Sequence, residues 1–92
     1  MFEKDFVLRA AGHGYLYYLP YRAVAEVRRP GQPPVLVTDL VGELVDADLL
    51  ETAYAPATAE RVALVTTAQG DQALELLRRI EEQRLIAVLA AA

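Results

Sequence analysis

Residues 61–89 read RVALVTTAQGDQALELLRRIEEQRLIAVL, and their periodicity decides most of the fold. The run Arg61-Val62-Ala63-Leu64-Val65-Thr66-Thr67 is apolar and β-branched, which predicts a strand. Gln69-Gly70-Asp71 then turns the chain into a helix, where Ala73, Leu76, Leu77 and Ile80 recur at i, i+3, i+4 and i+7. Asp71 stands near the positive end of that helix, and Glu75 precedes Arg79 by one turn; both placements favour helix formation. Leu85-Ile86-Ala87-Val88-Leu89 is a short, uninterrupted apolar run, read as a closing strand. A strand, crossover helix and strand in one sheet favour a right-handed parallel arrangement.

Upstream of this unit, loops are easier to place than the elements they join. Residues 29–34, Arg29-Pro30-Gly31-Gln32-Pro33-Pro34, cannot continue a helix or a strand. Ala55-Pro56-Ala57-Thr58 reads as another loop. Phe6-Val7-Leu8-Arg9-Ala10 reads as a strand that ends at Gly12-His13-Gly14. Tyr15-Leu16-Tyr17-Tyr18-Leu19 suits a pleated surface. Pro20 then either separates two strands or opens a helix at its first turn. Val35-Leu36-Val37-Thr38 predicts a strand. Between Asp39 and Tyr54 the repeat of Leu40, Leu44 and Val41, Val45, Leu49 is helical in part, although Gly42 weakens it and Asp48-Leu49-Leu50-Glu51 offers a second helix start.

These readings predict an α+β class: one domain over 1–92, with a small mixed sheet and a C-terminal strand-helix-strand unit. If residues 20–29 are helical, the alternative is a ferredoxin-like split βαβ with an insert at 39–59. If they are a strand, the front is an antiparallel meander.

At 92 residues with 54% hydrophobic content, the chain has more apolar material than a core of this size requires. Part of it is therefore expected to meet a partner. The absence of cysteine excludes a disulfide framework, a thiolate metal site and a thiol nucleophile, and fits a reducing, cytoplasmic compartment. Residues 1–5 show no signal-peptide pattern, and no apolar run approaches the roughly 18 residues of a membrane span. Neither export by signal peptide nor a membrane partner is expected.

The net charge of −4 argues against nucleic acid as a partner, since phosphate contacts need a concentrated basic face. Charge is unevenly spread. Lys4, Arg9, Arg22, Arg28 and Arg29 outweigh Glu3, Asp5 and Glu26 in the front, whereas residues 39–60 contain acids and no base. Such a division suits attraction within the fold or between two copies. Serine and asparagine are absent and arginine dominates the cations, a usage expected of a GC-rich bacterial gene of the kind thermophiles carry.

Four features invite a functional reading. His13, the sole histidine, lies between two glycines that would let a ligand approach closely, but no orienting carboxylate is identifiable; the plainer reading is a surface turn. Asp46-Ala47-Asp48, with Asp39, Glu43 and Glu51, lacks calcium-loop spacing and reads as a solvated acidic face, so no metal is expected. Thr66, Thr67 and Gly70 join a strand to a helix N-terminus, where backbone N–H groups can hold an anion, but the phosphate-loop lysine and dinucleotide glycines are missing. Thr67 is more simply a helix cap.

Tyr15, Tyr17, Tyr18 and Tyr21 are the most unusual concentration. On a strand, Tyr15, Tyr17 and Tyr21 would share a face with Leu19, leaving Leu16 and Tyr18 on the other, so that one face packs inward and one meets a partner. No cofactor is implied. Without a nucleophile and base in evident pairing, the expected function is a non-enzymatic interaction module that self-associates through the tyrosine run or the apolar C-terminal strand, which Ala90-Ala91-Ala92 follows. The alternative is a small-ligand or anion-binding sensor, or a minimal enzyme, using the 66–71 turn with His13.

Overall fold

The computed structural model describes residues 2–91; Met1 and Ala92, the last alanine of the terminal apolar run, lie outside them. Eight elements follow in order: α1 (Phe2–Gly12), β1 (Leu16–Leu19), β2 (Val24–Val27), β3 (Val35–Leu36), α2 (Thr38–Asp46), β4 (Leu50–Thr52), β5 (Val62–Thr66) and α3 (Ala68–Ala91). The α+β class stands. The five strands form one sheet in the order β3-β2-β1-β5-β4, and every neighbouring pair is antiparallel, so the sheet is not mixed.

Residues 6–10 lie inside α1, which corrects the strand expected there. Val7, Leu8, Ala10 and Ala11 are all buried, a spacing that belongs to one helix face and that a five-residue window is too short to reveal. Glu3 and Asp5 in the first turn and Arg9 in the last complement the helix dipole. The helix ends in a paired closure: Tyr15 N–H donates to the Ala10 carbonyl at 2.9 Å and Gly14 N–H to the Ala11 carbonyl at 3.1 Å, with Gly14 at φ +80°. This is the Schellman arrangement, and the left-handed position explains the glycine.

Pro20 begins a turn, not a helix. Arg22 N–H returns to the Leu19 carbonyl at 3.1 Å, and β2 then pairs back on β1 with Leu16 opposite Val27 and Tyr18 opposite Ala25. The front is therefore the meander, β1-β2-β3, and the ferredoxin-like alternative falls because residues 24–27 complete a ladder in place of a crossover helix. The segment 39–54 divides into α2, which buries Val41 and Leu44, and the strand β4, where a second helix start was the expectation. A second Schellman closure ends α2. Leu49 N–H reaches the Leu44 carbonyl and Asp48 N–H the Val45 carbonyl, both at 2.9 Å, with Asp48 left-handed at φ 62°.

Residues 85–89 are helical, which corrects the closing strand and with it the strand-helix-strand unit. The charged, helix-favouring run before them carries the helix on. The strand at 61–67 and the helix after it stand, as β5 and the first half of α3.

The register places Leu16, Ala25, Val27, Leu50 and Leu64 on the face of the sheet that the helices cover, where they join Val7, Leu8, Val41 and Leu44 in one continuous core. On the opposite face, Tyr17 lies between Glu26 and Ala63. Glu26 is only 4% exposed there and accepts from Arg28 Nε at 3.1 Å, so its charge is paired where water is scarce.

Candidate interaction surface

The first half of α3 is tied to the body at several points. Gly70 packs so closely on Leu49 that a Cβ would lie 2.1 Å from the Leu49 carbonyl oxygen, which leaves no residue but glycine at that crossing. Ala73, Leu74 and Leu77 pack against the core. Glu81 holds Arg9 of α1 at 2.6 Å, and Ile80 and Arg84 border the same shallow cleft between α1 and α3.

Around this point α3 carries its own charge lattice. Arg78 donates to Glu75 through Nη2 at 2.6 Å and Nε at 3.1 Å, and to Glu82 at 2.9 Å; Arg79 reaches Glu75 at 3.3 Å. The hydrogen bond from Arg78 holds the Glu75 carboxyl below its ordinary pKa of 4.5, and Glu75 in turn raises Arg78. These side chains are in water, so their contribution is to helix propensity over 75–82 and is modest.

Beyond Arg84 both the charges and the contacts stop. Leu85, Ile86, Val88 and Leu89 are 60–67% exposed, and Ala87, Ala90 and Ala91 are exposed with them. Apolar side chains point to every side of the helix. A helix of 24 residues is about 36 Å long, and its reach shows in the overall extents of 54 × 29 × 19 Å. The radius of gyration is 14.9 Å, against about 12 Å for a compact domain of this length. No helix among the described residues is long and apolar enough to cross a membrane.

An apolar groove opens beside the base of the same helix. It has a volume of about 250 Å³ and is walled by Leu8, Leu44, Leu49, Ala73, Leu76 and Leu77, with Lys4 and Asp5 at its rim. Leu76 is 60% exposed along it. Periodicity places Leu76 and Ile80 on the helix, yet it leaves open that their outer sides would stay uncovered.

The residues singled out from sequence fall in three places. Thr66, Thr67 and Gly70 do meet in one turn, where they satisfy one another. Thr67 Oγ1 accepts from Gly70 N–H at 3.1 Å and donates to the Asp48 carbonyl at 2.6 Å, Thr66 Oγ1 donates to Asp71, and Thr67 N–H bonds the Leu49 carbonyl. Thr67 is the helix cap, and the Asp71 carboxylate in the same turn adds a negative charge that disfavours an anion there. His13 is elsewhere. It is exposed at the end of α1, 5.9 Å from the Tyr15 ring, in a cleft with Leu74 and Arg78 that contains none of the turn residues. Among the described residues, no three histidine, aspartate or glutamate side chains gather to hold a metal ion.

The tyrosines do not form a single face. Tyr15 precedes β1 and packs against the core with Tyr18, Tyr17 lies on the opposite sheet face with the Arg61 guanidinium 4.7 Å from its ring centre, and Tyr21 is 73% exposed in the β1–β2 turn. The strand begins at Leu16, so the alternation expected from Tyr15 onward is broken.

The site is thus an unpartnered helix end on a small α+β body. No family model matches the chain, and no curated protein or solved structure is significantly similar to it.

Proposed function

We propose that this chain is a non-enzymatic interaction module that associates with a second copy of itself through the free half of α3. The carrying observation is the exposure of Leu85, Ile86, Val88 and Leu89 on an uncharged helical stretch. A helix that is apolar all round is stable where it is covered, and a monomer seldom leaves so continuous a patch in water. The last two turns also lack tertiary contacts, and a short helical segment held by its own hydrogen bonds alone is marginal. A partner supplies both the cover and the hold.

The ligand-binding alternative has less support. The Gly70 N–H is taken by the Thr67 cap, and His13 borders a cleft that contains none of the turn residues.

Analytical ultracentrifugation over a wide concentration range tests the reading. The mass is expected to rise from 10.1 kDa toward twice that value, and Leu85→Gln with Leu89→Gln is expected to return it to the monomer. A wild-type chain that stays monomeric to millimolar concentration would remove the reading.

A further inference from the structure

We infer that the two copies pair antiparallel along α3, crossing near Ile80, so that the 85–89 segment of each lies in the Leu8–Leu44–Leu49–Leu76 groove of the other. This inference rests on the proposed self-association and adds its orientation and its acceptor site.

The first argument is charge. The residues at the centre of the helix read Arg78-Arg79-Ile80-Glu81-Glu82, with the sign inverting about Ile80. In an antiparallel pair crossing there, Arg78 and Arg79 of one copy come level with Glu82 and Glu81 of the other. A parallel pair would set arginine beside arginine and glutamate beside glutamate. Complementarity of this kind selects orientation even where each exposed pair contributes little.

The second argument is length. α3 runs from Ala68 to Ala91, and its midpoint falls between Arg79 and Ile80, where the charge inverts. An antiparallel pair centred there overlaps along the whole helix. It also sets the two helix dipoles antiparallel, so that their opposite ends lie side by side.

The third argument is the groove. With that crossing point, residues 85–89 of one copy fall level with residues 75–71 of the other, where Ala73 walls the apolar groove and Leu76 adjoins it one residue further on. The patch lacking cover and the groove lacking an occupant are thereby brought together twice, once at each end of the pair. A stable interface buries about 800 Å² on each partner, which is a modest share of the 6526 Å² surface of the chain and within reach of a helix pair that also fills two grooves.

The chain contains no cysteine, so single cysteines report the orientation directly. Gln72 and Ala87 are both exposed. In the antiparallel pair, residue 72 of one copy lies within one residue of the level of residue 87 of the other, whereas like positions are separated by about 21–24 Å along the axis. Gln72→Cys and Ala87→Cys are each oxidised alone and as an equimolar mixture with oxidised glutathione, and the products are weighed by intact mass spectrometry. Circular dichroism checks that each variant is folded. A mixed disulfide far exceeding either like disulfide is the expected result. A dimeric chain by sedimentation that gives like disulfides, or no mixed one, overturns the orientation and leaves self-association standing. A chain monomeric at every concentration overturns both. Leu76→Gln, on the groove wall, is expected to weaken the dimer at least tenfold, and an unchanged dissociation constant would remove the groove as the acceptor.

Discussion

The body of the molecule and the free half of α3 are built from the same residue types and differ in what surrounds them. Leu16, Val7 and Val27 are 0–1% exposed among side chains from both helices and strands, whereas Leu85, Ile86, Val88 and Leu89 meet water on every side. In the body each apolar side chain has a tertiary neighbour to exclude water with it. In the free half the helix supplies backbone hydrogen bonds and nothing else. The comparison teaches that hydrophobic content alone does not make a core: among the described residues no second element lies across the end of α3, and its apolar side chains stay exposed.

Substitutions on the two sides should therefore separate stability from association. Leu16→Ala removes the largest fully buried side chain and is expected to lower unfolding stability by about 3 kcal/mol in denaturant titration. A loss under ~1 kcal/mol would show that the body is not the packed half of the molecule. Thr67→Ala deletes the cap of α3 and its bond to the Asp48 carbonyl, so a loss of about 1 kcal/mol is expected. Because this threonine ties the helix to the body, amide exchange should rise in residues 67–71 first.

Leu85→Gln with Leu89→Gln should change the stability of the dilute, monomeric chain by no more than ~0.5 kcal/mol, as surface substitutions do. The same pair is expected to abolish the concentration dependence of the melting temperature. A large loss in the dilute chain would mean that the tail is packed on its own body.

The smallest effect concerns Glu75. Its carboxyl is held below 4.5 by the Arg78 hydrogen bond, so the folded helix favours the charged form. That support is present above pH 4.5 and is lost as pH falls through the lowered value. Helix content followed by circular dichroism should decline slightly below pH 4.5, and Glu75→Gln should flatten the decline. Since the group is in water, added salt should weaken the effect as well.

What was legible in the sequence follows from how local each signal is. Thr67 as a cap, the turns at Gly12-His13-Gly14 and Ala55-Pro56-Ala57-Thr58, and the helix carrying Ala73, Leu76, Leu77 and Ile80 each depend on neighbours a few residues away and are present in the structure, although of that stripe only Ala73 and Leu77 pack on the core. Residues 6–10 and 85–89 differ from the strands expected there for one shared reason. Both are short apolar runs whose periodicity suits a strand or a buried helix equally, and the deciding neighbours, Ala11 for the first and the preceding charged turns for the second, lie outside the run. The candidate surface was legible in part: the apolar segment at 85–89 is expected to meet a partner, but as a strand where the structure has a helix, and the tyrosines, the other expected contact, are spread over both sheet faces and a turn. The groove beside Leu76 was not legible at all, because Leu8 and the Leu44–Leu49 closure come from two parts of the chain distant from Leu76 and from each other.

By itself, then, the sequence determined the α+β class, the start of α3 and the inversion of charge about Ile80, since these are properties of adjacent residues. Tertiary structure decided that β2 returns on β1 in place of a crossover helix, that the sheet is antiparallel throughout, and that the apolar run at 85–89 continues a helix past the edge of the body. Those outcomes turn on which distant surfaces remain to be covered once the core has closed, and no local pattern encodes that.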